Sequence, residues 1–337
     1  MTNKLDFLWY KLFSTEGFGP KSISIVYNTI HNLGIPLEEI FVMSESEFEK
    51  TFPELGKGRL RKATFEAIQK LNEEKIYQEY QELRNNGIKI IYPGCQLYPV
   101  KLLELTRYGV PPILFCKGQL SLLNSEGVAI VGSRNASEEG IKIAKKFASE
   151  LVMLGKNVIS GYAKGIDTSA HLGALEKDGT TTIVLSYGIM EFSKKKIFKN
   201  VRWEGNTLIV SQFRLREKWS ARNAMIRNKL VCALSEAVIV IESGGKENGS
   251  RKMSGTFNAG YTALKTKVPL FVVNPDSFRN IPIGNKKLIE LGGIEIQPDD
   301  GISEILKHLE KKRKGIESVM NERQMSLFEQ NQNGGKY

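Results

Sequence analysis

Cysteine is scarce in this sequence: Cys95, Cys116 and Cys232 are the only three, and they are scattered. Three dispersed thiols make neither a disulfide framework nor a zinc site, which excludes a small stapled secreted fold and points to a reducing compartment. Histidine is as rare, with three in the chain. No second histidine lies near His171, so neither a metal pair nor a Ser-His-Asp arrangement is expected there; a helix histidine satisfied by a carbonyl is. Long apolar runs are missing as well. No stretch of about 18 apolar residues is present to span a bilayer. The opening MTNKLDFLWYKLF lacks the apolar core and small-residue cleavage pattern of a signal peptide. A cytoplasmic protein with no membrane partner is therefore expected. Negative charge is in deficit: 37 Asp and Glu stand against 48 Lys and Arg, a formal net charge of +11. Such an excess favours polyanionic partners, nucleic acid among them, although a solvated cationic face gives the same number.

What is present describes a folded chain, with 41% hydrophobic and 25% charged residues in 337 positions, room for about two domains. Residues 1–85 carry period-3.6 apolar patterns broken by turn signals, KLDFLWYKLF, EGFGPKSISIVYNTIHNLG, LEEIFVMSESEFEKTF and GKGRLRKATFEAIQKL, and read as a small helical domain. GFGPKS and LGKGRLRK put glycines and cations at helix starts, as helix-hairpin-helix modules do to meet a phosphate; ordinary turns of a helical bundle, of SAM type for example, are the favoured explanation, because glycine punctuates any such bundle. From residue 86 to about 300 the texture changes. Nine short apolar runs, IKIIYP, PILFCKG, GVAIVGS, NVISGYA, TTIVLSYG, NTLIVSQF, AVIVIES, VPLFVVN and GIEIQ, alternate with amphipathic helical stretches. That alternation predicts an α/β domain, a Rossmann-like, mostly parallel sheet with helices on both faces. Residues 301–337 read as an amphipathic helix followed by a polar, glycine-bearing, flexible tail.

In such a sheet a ligand sits outside the carboxyl ends of the strands, so the residues after each apolar run are the ones to inspect. After VAIV come Gly132, Ser133 and Arg134: a glycine that admits close approach, a helix start that offers N–H groups, and a forked phosphate donor. In SGYAKGIDTSAH, Ser160, Gly161 and Gly165 surround Lys164 in a second candidate phosphate cradle, with Asp167 placed to cap the helix. In WSARNAMIRNKLVCALSEAVIVIES, Arg222 precedes Arg227, Asn228 and Lys229 by about one and a third turns, so that one broad helix face is expected to turn both arginines to a common anion. In SGTFNAG, Gly255 permits close approach and Thr256 is placed to cap a helix. Tyr162, Phe213, Trp219 and Phe257 lie near these loops and offer π-faces for bases, with core packing the ordinary role of each.

Taken in order, these stretches resemble the DprA/Smf family of DNA-processing proteins. The resemblance rests on Gly132-Ser133-Arg134, on SGYAKGIDTSAH, on RNKLVCALSEAVIVIES and on GNKKLIELGG at residues 284–293, with YPGCQLYPVKLLEL and PPILFCKGQL leading into the core. It implies a Rossmann-like domain that binds single-stranded DNA in a positive pocket, forms a homodimer, and helps load a RecA-type recombinase on incoming or exposed strands in transformation, recombination or repair. It implies no catalysis, cofactor or metal. Gly132, Ser133, Arg134, Ser160, Gly161, Lys164, Gly165, Arg227, Asn228 and Lys229 carry over as pocket residues. Departures are visible: VLSYGIMEFSKKKIFKNVRWEG lacks the family's Tyr-Pro, WSARNAMIRNK is longer than the usual F-P-x-R-N-R, and SGTFNAG looks closer to the G-G-T-x-x-G of nucleotide binders and phosphoribohydrolases in the wider superfamily. A nucleotide sensor or such an enzyme therefore stays open as the alternative, with Glu242 the carboxylate at a strand end, although a capping role suits Glu242 better. In the tail, Gln324, Ser326, Leu327 and Phe328 resemble the Q-x-S-L-F peptide that docks on the sliding clamp, where two apolar side chains fill a groove and the glutamine bonds at its edge.

Overall fold

The computed structural model describes residues 4–56, 59–99, 101–102, 111, 113–244 and 254–314. Five helices open the chain: α1 (Lys4–Ser14), α2 (Pro20–Leu33), α3 (Glu45–Thr51), α4 (Arg59–Gln69) and α5 (Glu73–Asn85). Their boundaries follow local chemistry. Pro20 begins α2 where no helical acceptor exists for its missing N–H, and Gly34, at φ +67°, ends it in the left-handed region with its N–H on the Ile30 carbonyl. Ser44 and Glu47 close a reciprocal capping box at the start of α3.

The nine strands are β1 (Lys89–Ile91), β2 (Leu114–Gly118), β3 (Gly127–Val131), β4 (Asn157–Ser160), β5 (Thr181–Val184), β6 (Thr207–Ser211), β7 (Ala237–Val240), β8 (Leu270–Val273) and β9 (Ile294–Ile296). They form one sheet in the order β1-β2-β6-β5-β4-β3-β7-β8-β9. The pairs from β6 through β9 are parallel, and β2 is antiparallel to both β1 and β6. This is the mostly parallel, Rossmann-like sheet the apolar runs predict. Strands β3 to β7 are buried at every position, because helices cover both faces.

Those helices are α6 (Glu138–Met153), α7 (Ile166–Leu175), α8 (Ala221–Leu234), α9 (Gly255–Lys265), α10 (Ile283–Glu290) and α11, residues 301–314. One face of the sheet, with Ala129, Val131, Ile159, Val184 and Val238, packs on α8, α9 and α10. The other face is shared. Val128, Ile130, Val158 and Ile239 pack on α6, α7 and α11, the last through Ile302, Ile305 and Leu309. Phe115, Ile183 and Ile209 pack beside them on the opening helices. Apolar packing therefore runs without a break across residue 85: Phe13 meets Phe115 edge-on at 5.1 Å, and Trp9 stacks on Tyr92 at 5.8 Å. Among the described residues no helix is long and apolar enough to cross a membrane.

The path of the chain reverses at β3. After β3, successive parallel strands are laid down on one side through β4, β5 and β6; then α8 carries the chain back to β7 on the other side. The carboxyl ends of β3 and β7 therefore form the topological switch point of the sheet.

Candidate nucleic-acid interface

Two turns meet at this end of the sheet. The turn after β3 and the turn after β4 are packed together: Ile166 N–H donates to the Ser133 carbonyl at 3.2 Å. Gly132 and Gly165 are what allow it. A Cβ at Gly132 would lie 2.4 Å from Ile166, and one at Gly165, where φ is +79°, would lie 2.3 Å from the Ser133 carbonyl oxygen. Arg134 and Lys164, both exposed, stand on these two turns.

Beneath them lies a buried charge pair. Arg227, 6% exposed, comes up from α8, and its Nη1 is 3.8 Å from Oδ2 of Asp167, which is 4% exposed. A Cβ at Gly161 would sit 2.1 Å from each of those two atoms, so the glycine leaves the space the pair fills. Arg227 Nε has no hydrogen-bond partner. Burial lowers the guanidinium pKa, with Asp167 opposing and Arg134 adding to the shift.

Several expectations about donors are corrected by the structure. The start of α6 is not open to an anion. Ser137 caps it with Gly140 N–H at 3.0 Å, and Glu242 Oε2 takes the Ser137 N–H at 2.9 Å and its hydroxyl at 2.8 Å. Ser133 N–H donates to the Glu242 carbonyl. An internal carboxylate thus fills the switch-point crevice, as a capping role for Glu242 requires. Asp167 does not cap α7; Gly165 occupies that position, and the carboxylate turns back to the Ala163 N–H at 3.3 Å and to Arg227. Ser254, not Thr256, caps α9. Arg222 is exposed on the first turn of α8 whereas Arg227 is buried, because five residues on a helix rotate one side chain by about 140° from the other. The two do not share a face.

Other sequence-marked residues hold the scaffold. Ser160 donates its hydroxyl to the Ile130 carbonyl at 2.6 Å. Asn228 donates to the Gly255 carbonyl at 2.9 Å and so ties α8 to the start of α9. Lys229 is half-buried, Gly255 is exposed and Thr256 is half-buried. His171 is buried, with Nε2 3.0 Å from the Gly161 carbonyl and Nδ1 2.7 Å from Thr181 Oγ1. The carbonyl can only accept, so Nε2 carries the proton. Burial pushes the imidazole down to about 3, which keeps it neutral. Gln324, Ser326, Leu327 and Phe328 lie outside the described residues.

Two further residues were not singled out by sequence, and a third was only one of several candidates. Lys195 reaches back to the β4 turn, where its ammonium donates to the Tyr162 carbonyl at 2.8 Å, to Ala163 at 3.3 Å and to Thr168 Oγ1 at 2.8 Å. It is a pin, and the cation run SKKK was its only signal. Asn285 is buried and staples two strand ends, taking the Ser243 N–H at 2.8 Å and donating to the Ile241 and Val273 carbonyls at 2.8 and 2.9 Å. It lies in the GNKK stretch that carried resemblance but no assigned role. Trp219 was one of four nearby aromatics. The Arg134 guanidinium stands 4.9 Å above its ring. Among the described residues no group of three or more His, Cys, Asp or Glu is arranged to hold a metal.

The family model of DNA recombination-mediator protein A matches residues 89–309. The chain belongs to that family. DNA processing protein DprA of Streptococcus pneumoniae is 37% identical over 151 residues, 43% of this chain and 51% of that protein. Protein Smf of Synechocystis is 30% identical over 197 residues, 56% of this chain and 48% of the relative. The chain thus spans about half the length of these curated relatives, while the Bacillus subtilis DprA is matched over 73% of its length at 28% identity. The crystal structure of the S. pneumoniae protein has the same fold, with a TM-score of 0.71 at 24% identity over 89% of this chain and 97% of that one. A Helicobacter pylori DNA processing protein A structure, described for its single-stranded DNA binding mode, matches 66% of this chain and 96% of its own, with a TM-score of 0.53 at 25% identity.

Proposed function

We propose that this chain binds single-stranded DNA on the carboxyl-end rim of its sheet, as a DNA-processing protein without catalysis of its own. The observation that carries the reading is that Arg134 and Lys164 stand exposed on two turns packed against each other, above the buried Arg227 of α8. Arg134 and Lys164 are exposed and, among the described residues, have no carboxylate within 4.0 Å. Arg227 acts from beneath: its ion pair with Asp167, which also takes the Ala163 N–H, holds the turn after β4. The single-strand binding described for the H. pylori relative supports the same reading. In the test, a labelled oligonucleotide is bound in the presence of single-stranded, duplex or mononucleotide competitors. Single strands should compete far better than the others, and Arg134→Ala with Lys164→Ala should weaken binding to every sequence alike. Preferential competition by a nucleoside monophosphate would instead favour the nucleotide-binding alternative; a hydrolytic role for Glu242 is disfavoured because Ser137 engages its carboxylate.

We further propose the partners expected of such a protein. The recombination-mediator description of the family supports delivery of the bound strand to a RecA-type recombinase. A gain in recombinase loading on strands coated with single-strand-binding protein tests it. Tail residues Gln324 to Phe328 are proposed to dock on a sliding clamp; failure of the tail peptide to retain the clamp in a pull-down would dispose of that. A homodimer is proposed through the β9 edge, where Leu291, just ahead of the strand, and Ile294 within it are exposed.

A further inference from the structure

A cavity of about 210 Å³ lies between α1, α5 and the entry of β1. It stands apart from the rim described above. β1 is the edge strand five places from β3, and it runs in the same sense as β6, so its entry lies at the end of the sheet away from the carboxyl-end turns.

The walls are fixed. Phe7 of α1 meets Tyr77 and Tyr80 of α5, each at 5.4 Å between ring centres, and Ile90 is paired in register with Phe115 of β2. Leu83, Ile88 and Ile90, all buried, give the cavity an apolar side. Facing them are three charged groups, the exposed Arg84 and Lys89 and the half-buried Asp6. Ion pairing would be the ordinary arrangement for such a trio. Yet among the described residues no cation lies within 4.0 Å of the Asp6 carboxylate, and no carboxylate lies within that distance of Arg84 or Lys89. Burial raises the Asp6 carboxyl above the usual carboxylate range, against a Tyr92 hydrogen bond and the charges of Lys89 and Arg84. Tyr80 adds a second unmet demand. It is 1% exposed, the Arg84 guanidinium carbon stands 6.0 Å from its ring centre, and its hydroxyl has no hydrogen-bond partner. An orphaned hydroxyl on a cavity wall is satisfied when a polar occupant arrives.

We propose that this cavity binds a small zwitterion, an α-amino acid with an apolar side chain. Arg84 and Lys89 take its carboxylate, to which the Tyr80 hydroxyl also donates; Asp6 takes its ammonium group, and Leu83, Ile88 and Ile90 receive the side chain. A simple anion would leave Asp6 without a cation, and a simple cation would leave both basic groups without a carboxylate. The volume is below the roughly 300–1,000 Å³ of drug-sized sites, which restricts the occupant to a compact molecule.

The test is isothermal titration calorimetry of the full chain with L-leucine, N-acetyl-L-leucine and L-leucinamide. L-leucine should give saturable heat. Each derivative lacks one of the two charges and should bind about tenfold more weakly, the loss of one charge-assisted contact. Arg84→Ala should weaken L-leucine by a similar factor and leave L-leucinamide unchanged, whereas Asp6→Asn should weaken L-leucine and leave N-acetyl-L-leucine unchanged. Both substitutions are remote from the rim, so the affinity for a short single strand should stay as it is. Absence of saturable heat with L-leucine, L-valine and L-phenylalanine alike would overturn the proposal. So would N-acetyl-L-leucine binding as tightly as L-leucine, which would mark a plain anion site.

Discussion

At Gly161 an added methyl carbon would fall 2.1 Å from both Arg227 Nη1 and Asp167 Oδ2, inside the contact distance of either atom. Gly161→Ala should therefore destabilise the protein by about 1–3 kcal/mol through overpacking. Arg227→Ala should cost about 3–5 kcal/mol, because it leaves Asp167 buried without its partner. Thermal or denaturant unfolding of both variants checks this, and an unchanged melting temperature for Arg227→Ala would refute the buried-pair account. His171 gives a pH signature. Its folded-state pKa of about 3 lies below the ordinary value of 6.5, so the unfolded chain binds the proton more readily between those values. Its contribution is fully present above pH 6.5 and is lost as pH falls toward 3, at about 1.4 kcal/mol per pH unit. His171→Gln should flatten that part of a stability–pH curve. The part played by His171 was legible in sequence because a lone helix histidine has few chemical options. That of Asp167 was not: an acidic residue near a helix start reads as a cap, and only the fold reveals a guanidinium from a helix 60 residues later.

At the scale of elements, all nine strands were visible as apolar runs, and most clearly β3 to β7, since a strand buried on both faces leaves an uninterrupted signature. The helix caps were less legible. Ser254 and Thr256 are both good capping residues, and backbone geometry chooses the first. The Glu242 contact with α6 joins positions 105 residues apart, which no local pattern encodes. The opening helices share their apolar cluster with β2, β5 and β6, and Phe115 stands at the seam, touching Tyr10 and Phe13. Phe115→Ala should lower stability by about 3–5 kcal/mol. It should also weaken the coupling between helices and sheet, so that a single unfolding transition broadens or splits in calorimetry. At the amino end of the sheet, Arg313 of α11 binds Glu126 at 2.8 Å and Glu236 at 2.7 Å. Arg313 first, and then Lys156, holds the Glu126 carboxyl down to about 2. That attachment survives until strongly acid pH and links α11 to the core it covers.

At the scale of the whole molecule, the net charge of +11 becomes informative only when it is placed. The fold brings exposed cations on separate turns to one rim, and keeps carboxylates such as Glu242 and Asp167 turned inward in hydrogen bonds or ion pairs. The β9 edge closes the sheet three strands away from β3, with Leu291 just ahead of it 52% exposed. If that edge joins two copies, Leu291→Arg should convert a dimer to a monomer in light scattering without changing the affinity of each rim for a short strand. The central claim is that a phosphate backbone is held by Arg134 and Lys164 over the two turns. Its most direct test is the affinity for a short single strand measured across a range of salt concentrations. The expected result is a straight line on logarithmic axes, with a slope that becomes shallower by about 0.7 for each phosphate contact removed by Arg134→Ala or Lys164→Ala. An affinity independent of salt, or a slope that neither substitution changes, would contradict it.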